Sequence, residues 1–327
     1  MSAVFVTLPL PSPGIDLLQE RFQVTMLEAE GMPPETLKRH ISETDPIGII
    51  GMVNVPITDD IMAAAPQLRV IANYAVGYNN VDLVAATRRG ILVTNTPGVL
   101  TDATADLAFA LLLAVARRVV ESDRFLREGK FKGWKADLLL GSDVYGRVLG
   151  LIGFGRIGQA VARRGLGFNM SILYTDARRA NPEVESQFSA QFVPLDELLR
   201  KADFVTIHAD LNDQTRHLIG ERELKLMGRE HYLINAARGP IVDEKALVRA
   251  LKEGWIKGAG LDVYEHEPKT EPGLTGCWNA VLVPHLGSAT VTARAAMAET
   301  AAKNLIAAVE GKTPPNLVNP DALAVRR

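Results

Sequence analysis

Val148-Leu-Gly-Leu-Ile-Gly-Phe-Gly-Arg-Ile-Gly158 decides the fold. An apolar run leads straight into three glycines, Gly153, Gly155 and Gly158, and a stretch of helical periodicity follows. The spacing G-x-G-x-x-G has a physical purpose. The first glycine permits a tight strand-to-helix turn, the second lets backbone approach a pyrophosphate, and the third lets helix and strand pack closely. The helix start, with Arg156 and Ile157, then offers unpaired N–H groups and a positive dipole end to phosphates. A glycine triplet alone is a weak signal, but here the strand precedes it and the helix follows. Asp176 lies eighteen residues past Gly158, at the end of the next apolar run, Met170–Tyr174. A carboxylate there accepts hydrogen bonds from a ribose 2′-OH, which makes this a dinucleotide turn that favours NAD(H). NADP(H) is the alternative, because Arg178 and Arg179 follow closely and suit a 2′-phosphate if Asp176 turns away.

Working outward, a chain of 327 residues is too long for one ordinary core, and two domains are the natural expectation. The apolar fraction of 47% and charged fraction of 23% fit a globular protein in water. A net charge of −2 gives no basic stripe for nucleic acid, and the arginine pairs at 88–89, 117–118, 163–164 and 178–179 read as solvated faces. The single cysteine, Cys277, excludes an internal disulfide framework and is expected half-buried or at the surface. Met1-Ser-Ala-Val-Phe-Val-Thr-Leu-Pro reads as a strand start, not a secretory signal. The most apolar run, Leu107–Ala116, is too short to cross a membrane and fits a buried helix. A cytoplasmic protein without membrane or nucleic-acid partners is expected.

Short apolar runs alternate with helical stretches through the first hundred residues. Strands are expected at Val4–Thr7, Gln23–Leu27, Ile47–Ile50, Arg69–Asn73 and Ile91–Thr94, with helices at Glu35–His40, Thr58–Ala64 and Val81–Arg89. Alternation of this kind implies a parallel sheet with crossover helices. Asn95-Thr-Pro-Gly98 interrupts it, and one long helix of about 25 residues is expected from Thr101. Beyond the glycine turn, strands are expected at Met170–Tyr174, Phe204–Ile207, Tyr232–Ala236, Gly258–Leu261 and Ala280–Val283. An alanine-rich helix from Val291 to Glu310 and an irregular tail close the chain.

Three further segments carry chemistry. Asn235-Ala-Ala-Arg-Gly239 places Arg238 just past a strand, Leu261-Asp-Val-Tyr-Glu-His-Glu-Pro268 places Glu267 past another, and Pro284-His-Leu-Gly287 places His285 past a third. Ligands of doubly wound sheets bind outside the carboxyl ends of the strands. A planar arginine fork can clamp a carboxylate and polarise an adjacent carbonyl. A charged imidazole can donate a proton to that oxygen as hydride reaches the carbon, and a carboxylate on the other ring nitrogen favours the charged ring. Residue by residue, the bland readings remain a surface arginine and an ordinary loop histidine. Glu265 competes with Glu267, and His266 reads as exposed and inert. His40, His208, His217 and His231 show no metal-ligand spacing, so no metal is expected. Asn79-Asn80 reads as turn residues.

These segments, together with Ala75-Val-Gly-Tyr-Asn-Asn-Val-Asp82 and Leu100-Thr-Asp-Ala-Thr-Ala-Asp-Leu-Ala-Phe-Ala110, give the whole chain a resemblance to the D-isomer-specific 2-hydroxyacid dehydrogenases. Within them it is most similar to the glyoxylate/hydroxypyruvate reductases. The resemblance implies a Rossmann-type dinucleotide-binding domain, 99–287, inserted into a flavodoxin-like substrate domain, 1–98 plus 288–327. Both are doubly wound α/β units, with substrate in a cleft that closes on binding. It implies Arg238 as substrate-binding, Glu267 as the histidine's partner and His285 as acid/base. It implies that the N–H groups of Val76 and Gly77 hold the substrate carboxylate. Thr104, Ala237, Asp262 and Gly287 join Gly153, Gly155, Arg156, Ile157, Gly158 and Asp176 as the implied cofactor set. Asn54 is placed by this reading near the substrate mouth, where it contacts a substrate hydroxyl. Asp210 stands where relatives usually carry proline. A homodimer is implied, and the apolar stretch 101–128 agrees with one.

The expected reaction is hydride transfer from NAD(P)H to glyoxylate or hydroxypyruvate. The alternatives are another D-2-hydroxy acid, such as D-lactate or a sugar-derived acid, and a non-catalytic NAD(H)-sensing protein like the corepressors related to this family. The last would call for long tails, and the strand pattern here starts at about residue 3.

Overall fold

Strands that are apolar on every residue are not amphipathic, so they must be covered on both faces, which only a parallel sheet between helix layers achieves. In the computed structural model, which describes residues 1–28 and 33–325, this happens twice. Residues 29–32 and 326–327, part of the expected domain range 1–98 plus 288–327, lie outside the described residues. The chain divides into two compact units, Met1–Leu100 with Ser288–Arg327, and Thr101–Gly287.

The first unit holds β1 (Ala3–Val6), β2 (Gln23–Met26), β3 (Gly48–Gly51), β4 (Val70–Asn73) and β5 (Leu92–Thr94), all parallel, in the order β2-β1-β3-β4-β5. This is the flavodoxin-like order. β3 and β4 are buried at every residue. The closing helix, Val291–Val309, packs on this sheet, with β3's Gly48 against Leu305, and on the helix Gly14–Gln19, with Gly14 against Ala298.

The second unit holds β6 (Val148–Ile152), β7 (Ser171–Thr175), β8 (Ala190–Phe192), β9 (Phe204–Ile207), β10 (Tyr232–Asn235), β11 (Gly258–Leu261) and β12 (Ala280–Leu282). All pair in parallel, in the order β12-β11-β10-β9-β6-β7-β8. The winding reverses between β6 and β9, and a doubly wound sheet offers its ligand crevice at that switch point. The glycine turn follows β6 directly.

Three local expectations need correction. The single helix expected from Thr101 is two, Thr101–Ala116 and Val119–Arg127. Arg118 between them adopts a left-handed φ of 53°. The Ala116 carbonyl, instead of continuing the helix, accepts from the N–H of Ser142 at 2.8 Å. Arg118 is held by Glu121 at 2.8 Å and by the Leu140 carbonyl. A returning strand of chain therefore ends the first helix, and nothing in local propensity announces that. The second correction is the short edge strand β8, which the apolar pattern does not reveal. The third is Cys277, expected half-buried or at the surface, which is buried. Among the described residues, no helix is long and apolar enough to cross a membrane.

Candidate active site

The turn after β6 behaves as its glycines require. Gly153 has φ of +94°, and a Cβ there would meet the His208 and Ala209 backbone at about 2.6 Å. A Cβ on Gly158 would meet the Gly153 carbonyl oxygen at 2.3 Å, so this glycine sets the helix against the strand. Gly155 differs. A Cβ there would meet nothing within 4 Å, so the turn presents open space at its crest. The helix Arg156–Gly167 starts there with no side chain capping its first N–H groups, those of Arg156 and Ile157 among them. Open space plus uncapped donors fits a pyrophosphate. At the end of β7, Asp176 accepts the Phe154 N–H through Oδ2 at 2.7 Å, leaving Oδ1 toward solvent with only a long contact to the Arg178 N–H.

Arg238, Glu267 and His285 come together within the second unit. Asn235 ends β10 and is buried; its side chain accepts the Ala237 N–H at 3.0 Å and donates to the Arg238 carbonyl at 3.0 Å, which shapes the loop around the arginine. Gly239 lets this loop touch the next one, since a Cβ would overlap the Tyr264 backbone at 1.9 Å. That loop carries Glu267. Its Oε1 accepts the Tyr264 N–H at 3.0 Å, and its Oε2 meets His285 Nδ1 at 2.9 Å. Burial pushes the Glu267 carboxyl upward, but the hydrogen bond and charge of His285, helped by Tyr264 and Arg238, outweigh it and the net shift is downward. Burial likewise lowers the Arg238 guanidinium from its usual value, against the upward pull of Glu267 and Asp210. Glu265 is engaged elsewhere, by His217 Nε2 at 2.6 Å, so the histidine's partner is Glu267. His266 is exposed.

The ring of His285 is aimed by its backbone. His285 sits at a left-handed φ of 54°, a conformation that costs about 1–2 kcal/mol for a side-chain-bearing residue. Asp262, buried at the end of β11, holds it there. Its carbonyl accepts the His285 N–H at 2.8 Å, and its carboxylate accepts the N–H groups of Leu286 at 2.5 Å and Gly287 at 2.8 Å. Burial raises the Asp262 carboxyl, opposed by those two N–H groups and the His285 charge. A Cβ on Gly287 would lie 3.2 Å from Asp262 and 3.4 Å from Thr104, so Thr104, Asp262 and Gly287 converge. With Nδ1 taken by Glu267, His285 keeps Nε2 for a second partner.

Val76, Gly77 and Asn54 belong to the first unit. Val76 and Gly77 follow β4 in a half-buried loop, and their N–H groups have no acceptor among the described residues. Asn54 is exposed in the turn after β3. Several polar residues were invisible to motif reasoning. Asn73, Asn80 and Asn95 place their side-chain amides on the carbonyls of these loops. His208, behind the glycine turn, bonds Thr206 through Nε2 at 2.9 Å and is held to about 3 by burial, so it stays neutral. A lone histidine or asparagine carries no spacing signal by which to find it.

With this geometry in place, comparison with known proteins decides the family. Residues 109–287 match the model of the D-isomer specific 2-hydroxyacid dehydrogenase NAD-binding domain. The chain is 51% identical over 329 aligned positions, covering 99% of it and 98% of the relative, to a glyoxylate reductase of Thermococcus gammatolerans. The chain belongs to the D-isomer-specific 2-hydroxyacid dehydrogenase family. It is also similar to a solved protein of Thermus thermophilus, with a TM-score of 0.90, 46% identity and coverage of 97% and 99% of the two chains. An NADPH-dependent glyoxylate/hydroxypyruvate reductase from Sinorhizobium meliloti, solved with NADP and malonate, gives 0.86, 31%, and coverage of 100% and 98%. The dehydrogenase is thus a nicotinamide-dinucleotide-dependent oxidoreductase, and the residues that match the NAD-binding domain model, 109–287, fall in the second unit.

Proposed function

We propose that this dehydrogenase reduces glyoxylate to glycolate, with hydroxypyruvate as a second substrate, and that Arg238, Glu267 and His285 carry the chemistry. The observation that supports the roles most directly is the Glu267–His285 contact at 2.9 Å, with the ring's Nε2 left for a substrate and a guanidinium whose charge reaches Glu267. The glyoxylate reading draws on the relatives' activity. When bound, the reduced nicotinamide supplies a hydride to the carbonyl carbon. The chain's residues do the rest. Val76 and Gly77 donate N–H bonds to the substrate carboxylate, and Arg238 polarises the carbonyl oxygen. His285 gives the proton on Nε2 to that oxygen as it becomes an alkoxide, and Glu267, kept ionised, stabilises the charged ring. The first unit is read as the substrate domain. The uncapped helix start at Arg156 and Ile157, the space over Gly155 and the cluster Thr104–Asp262–Gly287 support the dinucleotide's place. Ala237, beside Arg238, is read in the same site. Asn54 is read as a substrate-hydroxyl contact. Following reduced-nicotinamide absorbance with a panel of 2-keto acids tests the reading: glyoxylate and hydroxypyruvate should turn over fastest, and a panel without turnover would sink it.

We read the cofactor as NAD(H). Asp176 keeps one oxygen for a ribose hydroxyl and repels a 2′-phosphate, while Arg179 is committed to Glu185, both guanidinium bonds at 2.8 Å. Glu185 is fixed further by the Tyr174 hydroxyl, and these two partners hold its carboxyl at about 2. NADH is therefore expected to exceed NADPH in kcat/KM by about tenfold or more. Glu185→Gln, which loosens Arg179, should narrow that ratio; an unchanged or wider ratio would refute this control.

A second copy of the chain is read as covering the arm after the helix Val119–Arg127. Residues 128–137 are exposed throughout, with Trp134 at 84% exposure and Phe131, Leu126 and Leu140 also in solvent. Light scattering should give twice the mass of one chain, and Trp134→Asp should lower it toward one. A monomeric wild type would contradict the dimer.

A further inference from the structure

Three consecutive carbonyls in the loop after β4 are each taken by a donor of the first unit. The Ala75 carbonyl accepts from the Thr96 N–H at 2.9 Å. The Val76 carbonyl accepts from Asn95 Nδ2 at 2.8 Å, and the Gly77 carbonyl from Asn73 Nδ2 at 2.8 Å. None of these peptides is cis. In a trans peptide the C=O and the following N–H point in opposite directions. Holding the three carbonyls inward therefore turns the N–H groups of Val76, Gly77 and Tyr78 outward. None of the three has an acceptor among the described residues. Successive outward N–H groups form an anion-binding concavity.

The amides that hold the carbonyls are themselves fixed. Asn73 is fully buried, and its Oδ1 accepts from Asn80 Nδ2 at 3.0 Å, which leaves its Nδ2 facing Gly77. Asn80 also reaches the carbonyls of Met52 and Val55, on either side of Asn54. The Asn95 backbone is gripped on both sides. Its carbonyl accepts from Asn304 Nδ2 at 3.0 Å, and its N–H donates to the Asn316 carbonyl at 3.3 Å. Asn304 is buried on the helix Val291–Val309, so the helix fixes Asn95 and Asn95 fixes the Val76–Gly77 peptide.

We propose that Asn95 and Asn73 are positioning residues that aim the Val76, Gly77 and Tyr78 N–H groups at the carboxylate of the 2-keto acid. The proposal rests on the reading of this loop as the carboxylate site. It separates from a merely structural role by what it affects. Amides that only stabilise a turn would alter thermal stability and leave the affinity of the folded enzyme for carboxylates intact. Amides that aim the donors act on KM and on dicarboxylate inhibition, and spare the chemical step and the cofactor.

Asn95→Asp keeps the shape and replaces the donor facing the Val76 carbonyl with an acceptor; Asn95→Ala removes it, and Asn73→Ser weakens the second anchor. KM and kcat for glyoxylate, the inhibition constant of oxalate, and NADH affinity by fluorescence are measured on whichever variants fold. KM and the oxalate constant should rise about tenfold or more, with kcat within about threefold and NADH affinity unchanged. Unchanged KM and oxalate inhibition in folded variants, or a fall in kcat alone, would overturn the positioning role while the wild type stays active. A wild type that neither turns over glyoxylate nor is inhibited by oxalate would instead remove the carboxylate site itself, and the proposal with it.

Discussion

Replacing His285 with alanine lowers kcat for glyoxylate reduction by about 10²–10⁴, the usual worth of a positioned proton donor. Cofactor affinity stays near the wild-type value, because the ring's anchor is Glu267 and its backbone is held independently by Asp262. Without the ring, the alkoxide forming at the substrate must take its proton from water. Glu267 then loses its hydrogen-bond partner and keeps only the more distant charge of Arg238, so some loss of stability accompanies the loss of rate. Single-turnover kinetics with saturating cofactor reads the chemical step directly. A variant within about threefold of wild type would assign proton donation to another group.

Arg238→Lys is the second large effect, expected to lower kcat/KM by about 10²–10³. The substitution keeps the charge and removes the planar fork, which alone can address a carbonyl and a carboxylate together. Asn235 shapes the backbone on both sides of Arg238 through its own side chain, so the lysine variant retains the loop and tests the fork alone. Added guanidinium should restore part of the rate to an Arg238→Ala variant. A lysine variant with normal kcat/KM would reduce Arg238 to a charge partner of Glu267 and Asp210.

Much of this was legible from the chain, and for identifiable reasons. Uniformly apolar strands separated by helical stretches leave little choice but parallel sheets, and a glycine triplet between strand and helix names the switch-point ligand. The choice between Glu265 and Glu267 came from the resemblance; the residues alone left it open, and it is the His217 contact to Glu265 that shows why one is spent elsewhere. Other features stayed hidden because they depend on distant partners. The helix break at Arg118 is made by Ser142, 26 positions after Ala116. The grip of Asn304 on Asn95 spans 209 positions. β8 is a three-residue edge strand with an exposed centre, too short for any periodicity to show.

In the proposed reaction, hydride passes directly from the nicotinamide to a 2-keto acid held at this site. Its most direct test uses reduced cofactor carrying deuterium at the transferable nicotinamide position, incubated with the protein and glyoxylate, and mass spectrometry of the product. One deuterium on the hydroxyl-bearing carbon of each glycolate is the expected result. Unlabelled glycolate, or none at all, would contradict the account.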